Sequence, residues 1–274
     1  MTSHRQRNDR RKGPGDRPKE GSRGPRAHAP RGAESPAQDW IWGVHAVLAA
    51  LANPQRQMIR RLVATPERAA QLEERFGPGR RAEVLDSRAI AQLLPQGAAH
   101  QGLALRADPP EPVAVEELGA SPSGVLLMLD QVTDPHNVGA IFRSAAAFGA
   151  RGVIVQDRHS PPLAGAVAKT AAGALDVLPH ARPVNLSRAL ETLAELGWRI
   201  VGLDGAATTD LAEALDGSPT VLVLGSEGEG LRRLVAEHCD LLAKIPMPGG
   251  FESLNVSAAA AVALYAASRV NRTA

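Results

Sequence analysis

Aromatic side chains are scarce: three Trp, four Phe and one Tyr make up 3% of 274 residues. With 44% apolar residues there is still enough for a core, built mostly from Ala, Leu and Val. The length suits one or two domains. Cys239 is the single cysteine, so no internal disulfide can form. No Cys/His cluster has zinc spacing, so no metal is expected. No apolar run reaches the ~18 residues that span a bilayer, and no charged-then-apolar signal segment opens the chain. The expectation is a cytoplasmic protein with no membrane partner.

Charge is close to balanced at a formal +2, but it is unevenly placed. Residues 1–38 hold ten of the 31 Lys and Arg and four of the 29 Asp and Glu, a balance of +6, which leaves −4 for the rest. After Met1 this segment has no aromatic or large aliphatic residue and is rich in Arg, Gly and Pro. Such a stretch cannot bury enough surface to offset its ordering entropy, so disorder is expected. A basic Arg/Gly tail serves either as an RNA-binding extension or as a solubilising one.

From Asp39 the chain reads as alternating helices and strands. Helices are expected over Gly43 to Ala52, Pro66 to Phe76 and Ser87 to Leu94, the last capped by Ser87. Strands are expected over Met58 to Ala64, Glu83 to Leu85 and Leu103 to Arg106. This makes a small α/β domain over residues 39–107. A proline-rich linker follows over 108–123. Longer aliphatic runs then begin: Val125 to Leu129, Gly152 to Val155, Arg199 to Leu203, Thr220 to Leu224 and Leu241 to Ile245. Continuous Val/Ile/Leu runs suit strands buried on both faces of a parallel sheet. Helical segments lie between them at Asn137 to Phe148, Leu163 to Ala172, Leu186 to Leu196 and Gly230 to His238. Residues 124–274 therefore form a second, doubly covered α/β domain.

Three segments in it carry chemistry. In the first, Asp134-Pro135 opens a helix bearing Asn137, Gly139 and Arg143. Gly139 and Arg143 share a face, and the missing side chain at Gly139 is expected to leave space beside the guanidinium. Arg143 either lines the crevice at the strand ends, where open α/β sheets bind ligands, or makes a surface ion pair. His136 beside it is either a general base or a hydrogen-bonding spacer. In the second, Gly225-Ser226-Glu227-Gly228-Glu229-Gly230 follows a strand with neither dinucleotide nor phosphate-loop spacing. Glu227 and Glu229 would repel a phosphate, so they are either helix N-terminal charges or groups for a neutral or cationic ligand such as a sulfonium. In the third, Ile245-Pro246-Met247-Pro248-Gly249-Gly250 runs through Ser253 and Leu254 to Asn255, a good N-cap for an alanine-rich helix. Its rigid turn suits either backbone recognition of an adenine edge or a plain strand–turn–helix connection. Asp204, at another strand end, could face the same crevice.

Taken together, these segments resemble the three motifs, in order, of the SpoU/TrmH group of SPOUT ribose methyltransferases, over about Gly124 to Arg269. Phe251 is a bulky departure in the third loop. Trp42-Gly43-Val44-His45-Ala46-Val47, His100-Gln101-Gly102-Leu103 and Asp157 to Ala174, with its Ala168-Lys169-Thr170-Ala171-Ala172-Gly173 helix, are most similar to the RlmB-type 23S rRNA guanosine 2′-O-methyltransferases of bacteria. That resemblance implies an N-terminal RNA-binding domain and a C-terminal domain with a trefoil knot. It implies S-adenosylmethionine as methyl donor, held by Gly225, Ile245, Met247 and Leu254. It further implies that Arg143 and Asn137 act at the ribose, with Glu227, Ser253 and Asn255 in support. The family is dimeric through its last helix, and Val256 to Val270 has the small apolar character that close packing needs.

A neutral 2′-hydroxyl is a poor nucleophile. Arginine does not readily give up its proton in proteins, so Arg143 is expected to stabilise a developing alkoxide rather than act as base. A tRNA ribose methyltransferase and a non-catalytic ribosome-assembly factor are the rival readings. A Rossmann dehydrogenase is disfavoured by the glycine spacing.

Overall fold

The computed structural model describes residues 39–56, 58–250 and 253–271, together with Met1. The basic segment expected to be disordered, and Phe251, lie outside the described residues. The first strand, β1 (Trp40–Trp42), escapes the sequence reading, being only three residues long. It alternates all the same. Trp40 and Trp42 pack with Val63 and Ile90, while Ile41 joins the cluster around Leu51. There follow α1 (Val44–Ala52), β2 (Ile59–Ala64), α2 (Pro66–Phe76), β3 (Glu83–Val84), α3 (Ser87–Gln92) and β4 (Leu103–Ala107). The strands form a mixed sheet in the order β1-β4-β2-β3, with β4 antiparallel to both neighbours. The cap of α3 is Asp86, not Ser87: its carboxylate accepts from Ala89 N at 2.7 Å, and a carboxylate is the stronger acceptor.

Residues between the sheets are partly structured. Val113 bridges to Ala181, and α4 (Val115–Gly119) buries Leu118. The second sheet contains β5 (Val125–Leu129), followed by α5 (Pro135–Ala147), β6 (Gly152–Val155) and α6 (Gly165–Ala171). A 3-10 turn (Ala174–Asp176) leads to β7 (His180–Ala181), α7 (Leu186–Glu195) and β8 (Arg199–Leu203). Next come β9 (Thr209–Asp210), α8 (Leu211–Ala214), β10 (Thr220–Leu224), α9 (Arg233–Glu237), β11 (Leu241–Lys244) and α10 (Val256–Asn271). All seven strands are parallel, in the order β7-β6-β5-β10-β8-β11-β9.

Both faces of this sheet are covered. Leu127 and Leu129 of β5 pack with Ile141 of α5, Val167 of α6 and Ala260 of α10. Leu126 and Met128, pointing the other way, meet Leu118, Leu190 and Val235 of α4, α7 and α9. Alternate side chains of one strand thus serve two cores, which is why the run contains no polar position. The first of these cores continues without a break into Val47, Leu51 and Leu105 of the N-terminal sheet. At the same seam Arg56 and Asp176 form a buried ion pair, Nε to Oδ1 at 2.6 Å and Nη2 to Oδ2 at 3.1 Å. Asn53 Nδ2 also donates to Asp176, and Arg56 donates to the Asp108 carbonyl. Among the described residues no helix is long and apolar enough to cross a membrane.

Candidate active site

The chain leaves β10 through Gly225, and the loop after it closes at once. Ser226 and Gly230 exchange backbone hydrogen bonds of 3.1 Å. A Cβ on Gly225 would lie 2.1 Å from the Gly230 carbonyl carbon, so only glycine lets the returning backbone pass. The helix expected from Gly230 begins only at Arg233. Arg232 N–H goes instead to Asp130 Oδ2 at 2.9 Å, and the Arg232 side chain donates to Asp130 Oδ1 at 2.7 Å. Asp130, fully buried at the end of β5, therefore holds the loop down from beneath. The sequence offers one signal for this, an acidic residue directly after an aliphatic strand.

The loop presents Glu227 to two other segments. Glu227 Oε1 accepts from Asn137 Nδ2 (3.0 Å), Asn255 Nδ2 (2.7 Å) and the backbone N–H of Val256 (3.3 Å). Asn255 Nδ2 also donates to Asn137 Oδ1 at 3.0 Å. Asn255 in turn caps α10, its Oδ1 accepting from Ser257 N at 3.0 Å and Ala258 N at 3.3 Å. The carboxylate sits at the N-terminal end of a sixteen-residue helix, where it takes up one of the free backbone N–H groups. One oxygen atom thus ties together the three segments singled out in the sequence.

Beside this cluster a cleft of about 730 Å³ runs along the carboxyl ends of β8, β10 and β11. Gly225, Ile245, Met247 and Leu254 line it, as do Glu227, Ser253 and Asn255. Asp204 and Glu229 add two further carboxylates, and among the described residues Lys244 is the one cation in the lining. The volume falls in the range that buries a cofactor-sized molecule. The lining's excess of acid over base suits a ligand that carries positive charge.

Asn137 and Arg143 do not line the cleft. Asn137 reaches its edge through Glu227, from the first turn of α5, where Asp134 accepts from His136 N at 2.9 Å. Arg143 is exposed further along α5 and makes no ion pair among the described residues. Gly139 does not leave room for it. A Cβ there would lie 2.6 Å from Thr170 Cβ and 2.7 Å from the Val167 carbonyl oxygen, so the glycine admits α6 instead. His136, whose Nδ1 lies 3.4 Å from Thr170 Oγ1, faces the same helix. Cys239 is half-buried, and burial first, with Asp240 and Asp130 nearby, pushes its thiol up to about 12, which disfavours the thiolate. No cluster of His, Cys, Asp and Glu suited to a metal occurs among the described residues.

Two family models match the chain. The SpoU rRNA Methylase family matches residues 124–265, and the RNA 2′-O ribose methyltransferase substrate binding family matches residues 40–113. An uncharacterized tRNA/rRNA methyltransferase of Synechocystis sp. is 41% identical over 239 residues, which are 84% of this chain and 62% of that protein. The chain thus spans less than two thirds of that relative's length. The 23S rRNA (guanosine-2′-O-)-methyltransferase RlmB of Xylella fastidiosa is also 41% identical over 239 residues, 84% of this chain and 96% of that one. Among solved structures, the SpoU methyltransferase AviRb of Streptomyces viridochromogenes, in complex with AdoMet, is similar with a TM-score of 0.71 at 25% identity. That match covers 85% of this chain and 90% of AviRb.

Proposed function

Because this chain belongs to the SpoU rRNA methylase family, we propose that it methylates a ribose 2′-hydroxyl of RNA, a guanosine of 23S rRNA in the first instance. The observation that carries the reading is the Asn137–Glu227–Asn255 cluster standing at the rim of an acidic cleft. Gly225, Ile245, Met247 and Leu254 would hold S-adenosylmethionine there, largely through backbone groups. Bound in that cleft, it supplies an electrophilic methyl group beside the cluster.

The residues of the chain then have distinct tasks. Glu227 fixes the two asparagines, and Asn137, Asn255 and Ser253 orient the ribose. Arg143, a fixed cation, stabilises negative charge growing on the 2′-oxygen and grips the neighbouring phosphate. Its position outside the cleft of its own chain suits a homodimer in which RNA lies across two protomers. The half-exposed Phe148, which caps the end of α5, and Val262 and Tyr265 on α10 suit that contact, with Phe148 and Tyr265 already edge to face at 6.0 Å. Residues 39–107 would bind substrate, 108–123 link, and 124–274 carry the chemistry. A trefoil knot in that last part and a cytoplasmic site of action complete the reading.

The test is transfer of tritium from labelled S-adenosylmethionine to 23S rRNA transcript and to bulk tRNA. Arg143→Ala is expected to lower the rate by about 10²–10³ while leaving cofactor affinity in place. Label in tRNA alone would move the substrate to tRNA, which the tRNA/rRNA name of the Synechocystis relative covers along with rRNA. No label with RNA still bound would point to an assembly factor.

A further inference from the structure

Three passages of the sequence have no role in the site above, and they meet at one point. A Cβ built on Gly43 would lie 2.3 Å from Lys169 Nζ and 3.2 Å from Gln101 Oε1. Gly43 itself has φ +90°, which favours glycine there, and its bare face lets the Lys169 amine and the Gln101 amide come together. Gln101 accepts from Val44 N through Oε1 at 3.2 Å, and its carbonyl accepts from Arg68 Nε at 3.2 Å. Gln101 is also one of few non-glycine residues with positive φ, 55°, an uncommon conformation concentrated at functional sites. It borders a groove of about 500 Å³ on the N-terminal unit, lined among others by Thr65, Arg68, Ser87 and His100. Among the described residues Glu67 is the one acid in that lining.

Lys169 belongs to α6 of the other unit, and it makes no ion pair among the described residues. The next residue, Thr170, packs on Gly139 and faces His136, which precedes Asn137. A continuous line therefore leads from the groove, across Lys169 and Thr170, to the first turn of α5 and the Glu227 cluster. Cations set among hydroxyls, an amide and loop backbone are the groups that contact a nucleic-acid phosphate chain.

We propose that Lys169 and Arg68, with the Gln101 turn between them, bind the RNA backbone flanking the target nucleotide and so set which ribose reaches Asn137. These are positioning residues, and the proposal rests on the RNA reading given above. The ligand class is a single-stranded phosphodiester chain, because only unpaired RNA lets a ribose be drawn into a separate site.

The experiment uses the full chain and a 23S rRNA transcript, with binding measured between 50 and 200 mM salt. For each phosphate that is no longer neutralised, the slope of log K against log salt flattens by about 0.7. Lys169→Met is expected to flatten it by one such step, and Lys169→Met with Arg68→Met by about two. The Michaelis constant for RNA rises about tenfold, more than the turnover falls. Lys169→Arg, which keeps the charge, recovers the slope. Arg233→Met, on the exposed and locally paired helix α9, leaves it unchanged. An unchanged slope with unchanged affinity would overturn the proposal. So would an unchanged slope with a lowered melting temperature, which would make Lys169 a structural latch. Binding is read without turnover, so a wild type that transfers no methyl group would defeat the functional reading and leave this test standing.

Discussion

Gly139 shows how a single missing side chain can set the distance between two helices. Its hydrogen atom meets the Val167 carbonyl and the Thr170 side chain, and backbone on the far side cannot swing away. Alanine there has the better helix propensity by about 1 kcal/mol, but crowding of a packed seam typically costs about 1–3 kcal/mol. Crowding should win, since the nearest atoms include two of the α6 backbone. Gly139→Ala is expected to lower stability by about 1–2 kcal/mol in urea titration, with the m-value unchanged. Because Thr170 contacts both Gly139 and His136, the same change should also shift the first turn of α5. A variant as stable as the parent would mean that α6 yields freely.

At the scale of elements, the seam between the two sheets depends on a pair that sequence periodicity does not show. Arg56 and Asp176 are 120 residues apart, and their side chains are 2% and 3% exposed. Removing one partner of a buried pair leaves a charge stranded and costs about 3–5 kcal/mol. Arg56→Met should therefore lower the melting temperature by roughly 10 °C, and Arg56→Met with Asp176→Leu should recover most of the loss. An unaltered melting temperature for Arg56→Met would show that the apolar seam alone holds the units. The long strands β5, β6, β8 and β10 were legible because burial on both faces leaves continuous aliphatic runs. The two-residue strands β7 and β9 were not, since neighbours rather than their own residues define them. The segments bearing Asn137, Glu227 and Asn255 could be picked out in the chain. Their junction on one carboxylate oxygen could not, because 28 to 118 residues separate the partners.

For the whole molecule, acid sensitivity follows from His180, which is buried between the sheet and α5. It sits edge to face with Phe142 at 6.3 Å, and burial first, then the nearby Arg182, lowers its pKa to about 4. The folded chain keeps this imidazole neutral while the unfolded chain protonates it from about pH 6.5 downward. Its contribution is thus complete above that value and is lost as pH falls from about 6.5 to about 4, on the order of 3 kcal/mol in all. His180→Leu should flatten the stability profile across that window, and a parallel profile would refute the assignment. The strand order has a consequence in time as well. β10 lies between β5 and β8 and pairs with both, yet it is the last of the three to leave the ribosome. About 95 residues separate Val125 from its partner Thr220. At ~5–20 residues per second, synthesis leaves β5 without its central neighbour for about 5–20 s. During that interval the nascent chain carries unpaired aliphatic edges, and a ribosome stalled before residue 220 would hold a fragment whose sheet has no middle.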